Sequence, residues 1–204
     1  MRLTSTTVLL GILLSASPSV AAELTWPQPG SETPGALSYL YNVTGLELYR
    51  DRFHCLVTDY GLDPTIMVVI RGADQLENPA VQKMLQELDS TVNSNVVKRL
   101  HAFVVILDPS VKNVVKDDVP RYLLSKKKLA TFAKDKLNGG ERLPLCISTE
   151  EQMPNYPLDK DAVITIVFYK DHRVVESKTF DKDLKEQDAI NTVKDGAAKI
   201  LPAK

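Results

Sequence analysis

The chain has 204 residues, 25 Lys+Arg against 26 Asp+Glu for a formal net charge of -1, and 44% apolar residues. That is enough chain for one domain with a core and too little for two comfortable ones. The near-zero charge excludes the basic footprint a nucleic-acid binder needs, and two cysteines make neither a disulfide-dense scaffold nor a four-thiolate zinc site.

Residues 1–22 read as a secretory signal peptide. Arg2 supplies a positive start, 8–14 is a short apolar run, and Val20-Ala21-Ala22 places small residues where a signal peptidase cleaves. The run is far short of the roughly 20 residues that cross a bilayer, and no second apolar stretch is long enough to cross one. The expectation is therefore a chain exported to the periplasm or outside the cell, with no membrane span in its mature part. Residues 23–38 carry three prolines and two glycines and read as a leader on the surface or a flexible tether. The remaining 39–204 reads as one domain.

Residues 39–44 are a strand candidate closed by Gly45, and 46–49 with 53–57 offer short extended pieces for an N-terminal hairpin. The pattern sharpens at 65–70, an apolar, largely β-branched run between Pro64 and Gly72, as a strand covered on both faces requires. Asn78-Pro79 then predicts a helix start, with Val81, Met84, Leu85, Leu88 and Val92 on one face. A second buried strand is expected at 100–107, stopped by Asp108-Pro109.

A loop through Asp117-Asp118 leads to Pro120, which opens a helix ending at Gly139-Gly140. Its apolar face is Tyr122, Leu129, Ala133 and Leu137, and Lys126, Lys127, Lys128, Lys134 and Lys136 make it basic elsewhere. A short strand at 143–147 and a polar loop over 148–161 follow. Segments 162–169 and 174–180 flank a tight turn at 170–173 and read as an antiparallel hairpin. A final helix from about Asp183 would bury Ile190, Val193, Ala197 and Leu201 before Pro202 stops it. Strands alternating with helices give a three-layer α/β/α domain with a mixed central sheet, the closing hairpin at one side.

This succession resembles the thioredoxin-like fold in its larger, exported redoxin and peroxiredoxin-like form, over roughly residues 39–202. Cys55-Leu56-Val57-Thr58-Asp59-Tyr60-Gly61 is similar to a segment of exported thioredoxin-like proteins of planctomycete-type bacteria, which show Cys-x-x-Cys before Tyr-Gly. Here Cys55 matches the first cysteine and Thr58 stands in place of the second. The family's usual redox position, between the first core strand and its helix, is occupied by Arg71-Gly72-Ala73-Asp74-Gln75-Leu76-Glu77, without a thiol. The cis-proline that the family places before the hairpin has no counterpart in Asp159-Lys160-Asp161.

Two residues can carry thiol chemistry. Cys55 is either a nucleophile, if a cation or helix N-terminus favours its thiolate, or a buried small residue or half of a disulfide. Cys146, in a strand, is a core cysteine, a disulfide partner or a resolving thiol for Cys55. The histidines 54, 101 and 172 lie on separate elements without metal-ligand spacing, and hydrolase-elbow, phosphate-loop and dinucleotide motifs are missing. No metal and no cofactor is expected. Asn42-Val43-Thr44 fits a glycosylation sequon, which matters only in a eukaryotic secretory route. The functional expectation is an exported thioredoxin-fold protein without the dithiol, acting as a non-catalytic binding or structural module for an unidentified protein or small molecule. The alternative is a single-cysteine peroxidase or disulfide-exchange protein working through Cys55.

Overall fold

The computed structural model describes residues 27–108, 110–111 and 119–202. The expected export segment 1–22 and the loop acids Asp117 and Asp118 lie outside the described residues.

In chain order the elements are β1 (Tyr41–Asn42), β2 (Arg52–Phe53), α1 (Leu56–Tyr60), β3 (Thr65–Arg71), α2 (Pro79–Ser94), β4 (His101–Leu107), α3 (Val119–Lys136), β5 (Leu145–Ser148), β6 (Ile164–Lys170), β7 (Arg173–Phe180) and α4 (Glu186–Ile200). The strands form one mixed sheet in the order β2-β1-β5-β4-β3-β6-β7. β3 and β4 pair in parallel from Thr65↔His101 to Arg71↔Leu107, β5 continues the parallel set beside β4, and β6 runs antiparallel against β3.

Side chains alternate across the sheet and fill two separate cores. Ile66, Val68, Ile70, Val104, Ile106 and Phe168 face one side, where α2, α3 and α4 cover them with Leu85, Leu88, Leu129, Val193 and Ile200. Met67, Val69, Phe103, Val105, Cys146 and Val167 face the other side. There the cover is α1 (Leu56, Val57), Leu37, Leu40, Met153 and Tyr156. Both central strands are thus dry on both faces, and the expected α/β/α layering holds. The second outer layer consists of one short helix and irregular segments, because two same-direction crossovers place α2 and α3 on the same face.

Local signals set the boundaries. Asn78 caps α2, its Oδ1 accepting from the Ala80 N–H at 2.9 Å, with Pro79 at the first position. The β6–β7 turn places Asp171 and His172 at φ 53 and 58, as a two-residue hairpin loop demands. The leader segment docks onto the sheet edge: Gly30 and Thr33 donate to the Val174 and His172 carbonyls, at 2.8 Å each.

Three expectations need correction. Segment 46–49 is a turn rather than extended, and 53–57 is extended only as far as Cys55, the chain being helical from Leu56. The hairpin strands shrink to two residues each, because Asn42 and Phe53 exhaust the register between β1 and β2. The buried face of α4 is Ala189, Val193, Gly196, Ala197 and Ile200. Ile190 is only half-buried and Leu201 packs at the rim, since contact with Phe168 requires the smallest side chains at the centre of that face.

Candidate functional site

Cys55 occupies the N-cap of α1, with φ -87 and ψ 101. Its sulfur accepts three hydrogen bonds: from the Leu37 N–H at 3.1 Å, the Thr58 N–H at 3.4 Å and the Thr58 hydroxyl at 3.2 Å. The sequence folds this way because a side-chain acceptor at the N-cap satisfies a donor three residues on. Leu56 and Val57 anchor the first turn in the second core, and Gly61 at φ 57 ends it. Cys55 itself is partly buried against that core.

Aromatic and acidic groups surround the helix. Tyr49 stacks on His54 with centroids 3.9 Å apart, and Asp59 accepts from the Tyr49 hydroxyl at 3.1 Å with His54 Nε2 at 3.6 Å. Tyr60 stacks on His101 at 4.2 Å, and Asp63 holds both His101 Nε2 at 3.2 Å and Arg99 at 2.9 Å. Burial pushes the Tyr60 and Tyr156 hydroxyls well above the usual phenol range, with Cys55 adding to the shift of Tyr156. His54 turns away to Asp59 and gives Cys55 no hydrogen bond.

Cys146 lies on β5, fully buried, on the same side of the sheet as Cys55. Its thiol donates to Asn42 Oδ1 at 3.2 Å, and burial pushes it well above the usual thiol range. Both cysteines are free thiols. Asn42 is itself fully buried and spends its amide on the Leu40, Arg52 and His54 carbonyls at 3.0–3.2 Å. The sequon is thus a structural clamp with no side chain left to modify.

Past the C-terminal end of β3, where α/β folds place their chemistry, Gly72 leads into a short 3₁₀ turn over Ala73–Glu77. Arg71 crosses to the segment before β6, donating to the Ala162 and Asp159 carbonyls at 2.9 and 3.0 Å and pairing with Glu150 at 3.0 Å. Beside it, Asp108 accepts from the Ser110 N–H and hydroxyl and from the Ser125 hydroxyl. Sequence reading missed Arg71 and Asp108, because their partners are a backbone about 90 residues away and two serines that no motif marks. Among the described residues no cluster of three His, Cys, Asp or Glu could hold a metal ion.

No protein-family model and no curated protein sequence matches the chain. Solved structures do match in shape. A candidate protein disulfide isomerase from Bacteroides thetaiotaomicron superposes with a TM-score of 0.51 at 10% identity, covering 85% of this chain and 90% of that one. The fold is thioredoxin-like. Yeast Sco1 gives 0.49 at 13% identity over 87% of this chain and 99% of that one. A thiol:disulfide interchange protein assigned as DsbE, from Chlorobium tepidum, gives 0.46 at 8% identity over 83% and 98%. In this thioredoxin-like domain the turn after β3 carries no thiol, and the Cys55 sulfur faces the Thr58 hydroxyl. No helix among the described residues is long and apolar enough to cross a membrane.

Proposed function

We propose that this chain is an exported thioredoxin-fold binding module that has given up internal dithiol chemistry. The observation that carries the reading is the Thr58 hydroxyl, 3.2 Å from the Cys55 sulfur. A mixed disulfide on Cys55 is released internally only by a second thiolate, and a hydroxyl cannot serve. Cys146 is fully buried with its thiol donated to Asn42 Oδ1, and the two cysteines are free of each other. Export rests on the positive start, apolar run and Val-x-Ala pattern of 1–22, and N-terminal sequencing of extracytoplasmic protein tests it: a mature chain starting at Glu23 supports it, a retained Met1 overturns it.

A second reading stands on the three donors that converge on the Cys55 sulfur and on its partial exposure. In that reading the Cys55 thiolate attacks one oxygen of a hydroperoxide and the alcohol or water leaves after taking a proton. The resulting sulfenic acid condenses with an external thiol, releasing water, and a second external thiol frees Cys55.

Alkylation of the purified protein across pH, followed by peptide mapping and a peroxide-consumption assay with and without Cys55→Ala, separates the two. The binding-module reading expects no turnover that depends on Cys55. Turnover with an external thiol that Cys55→Ala abolishes would overturn it.

A further inference from the structure

The basic helix α3 is not evenly solvated. It carries six basic side chains and one acidic one in a chain whose formal charge is -1, so positive charge is concentrated there against an acidic remainder. Lys126 is bound to Asp51 at 2.8 Å and faces Tyr41, away from the rest. Leu124, Lys127, Lys128, Thr131 and Asp135 follow helical spacing and form one wall of a groove of about 460 Å³. The opposite wall is the 3₁₀ turn after β3, with Ala73, Leu76 and Glu77.

The floor of that groove is apolar, with Leu76 and Phe132 reaching it from the first core. Leu124 stands at its mouth, 66% exposed, and Leu123 beside it is 52% exposed. Glu77 is matched by Lys128 at 2.9 Å, which leaves Lys127 and Lys136 against Asp135 along the rim. An exposed leucine above an apolar trough, with three lysines against two carboxylates around it, is the complement of a segment with large apolar side chains on one face and carboxylates on the other.

We propose that the groove between α3 and the turn after β3 docks an acidic, amphipathic peptide segment of a partner protein. The wall from Leu124 to Lys136 is about 18 Å long at helical rise, room for about three turns of a docked helix. The concave shape favours a peptide over a bilayer, because a flat surface would touch Leu123 and Leu124 but leave the trough over Leu76 and Phe132 empty. The acidic remainder of the chain also repels anionic membranes. This inference rests on the binding-module reading, yet the two fail separately: a Cys55 that turns over peroxide would overturn that reading without touching the groove.

The test titrates the full chain with a fluorescein-labelled peptide of Glu and Leu, its leucines spaced three and four apart, and reads anisotropy. Saturable binding is expected, weakened roughly tenfold by Lys127→Glu with Lys128→Glu and again by Leu124→Asp, and reduced in high salt. Leu124 is exposed, so its substitution leaves the fold intact, as circular dichroism will show. A polyglutamate peptide should bind weakly; equal binding of it, with no effect of Leu124→Asp, would reduce the groove to a nonspecific anion patch and overturn the proposal. Failure of the Glu/Leu peptide to bind would overturn it too. So would binding to phosphatidylserine vesicles in preference to the peptide, or a light-scattering mass of a dimer that Leu124→Asp dissociates, since these name a membrane or a second copy as the occupant.

Discussion

Asn42 and Cys146 face each other across the β1–β5 ladder, and the buried Cys146 thiol donates to Asn42 Oδ1 at 3.2 Å. The Asn42 amide meanwhile holds the Leu40, Arg52 and His54 carbonyls, so one side chain ties β5, β2 and the entrance to α1 together. Asn42→Ala should destabilise the chain by about 2–4 kcal/mol, because buried acceptors lose their donor, and urea unfolding reads the loss. In the native Cys55→Ser protein, Cys146 should resist labelling up to mildly alkaline pH, consistent with its raised thiol, and react only on unfolding. Rapid native labelling would show that the β1–β5 edge opens readily.

Gly196 sits on α4 directly over the Phe168 ring, and an added Cβ would overlap three ring atoms. Alanine improves helix propensity by about 1 kcal/mol, but overpacking a filled core costs about 1–3 kcal/mol and sometimes more. Gly196→Ala should therefore be net destabilising, by about 1 kcal/mol in thermal or urea melts. Combined with Phe168→Leu it should cost less than the sum of the two single changes. Strict additivity would mean that α4 shifts freely over the sheet.

Much of this architecture was legible. Unbroken apolar runs marked β3 and β4, Asn78-Pro79 marked the start of α2, and a four-residue polar break marked the β6–β7 turn. The helix α1 was not legible, because Cys55 to Tyr60 is too short to show a period and its cap is a sulfur. Nor was the placement of all three long helices on one face, which follows from strand order rather than from any element's own pattern. At the site, the pairing of Cys55 with Thr58 was visible as a spacing. The roles of Leu37 as a backbone donor and of Asn42 as a clamp depended on contacts between segments that the sequence does not label.

Asp108 couples β4 to α3 through Ser110 and Ser125. Burial alone would raise its pKa, but the Ser110 and Ser125 hydroxyls, the Ser110 N–H and the Arg121 charge outweigh that and hold it below the usual carboxylate range. Its contribution is therefore complete above the unfolded pKa of about 3.9 and is lost as pH falls through the lower folded value. Asp108→Asn should cost about 2 kcal/mol near neutrality, and the gap from the parent should narrow in unfolding curves taken below about pH 4. A gap independent of pH would remove the charge from the explanation.

His101 runs the other way. Burial lowers its pKa, the hydrogen bond and charge of Asp63 recover part of the shift, and Arg99 adds to the lowering. The unfolded chain takes up this proton near pH 6.5 while the folded chain refuses it until lower pH, so stability falls as pH drops from about 7 toward the folded value and then levels off. His101→Gln should remove that slope. Urea midpoints at mildly alkaline and mildly acidic pH check it, and an unchanged slope in the variant would assign the effect elsewhere.

Thr58 offers a gain-of-function test of the site. Cys55 and Thr58 are the N-cap and third residues of α1, whose side chains face each other at 3.2 Å. Thr58→Cys should place a second sulfur within reach, and oxidation by oxidised dithiothreitol should form the bond between positions 55 and 58 as both thiol hydrogens pass to the oxidant, which becomes reduced. Intact mass should fall by two hydrogens, and alkylation at both positions should stop. The reduced variant should then reduce insulin disulfides, which the parent chain, lacking a resolving thiol, should not do catalytically. If the variant kept two free thiols under these conditions, the capping geometry would be wrong. If the parent already turned over insulin, the proposal of a module without dithiol chemistry would fall with it.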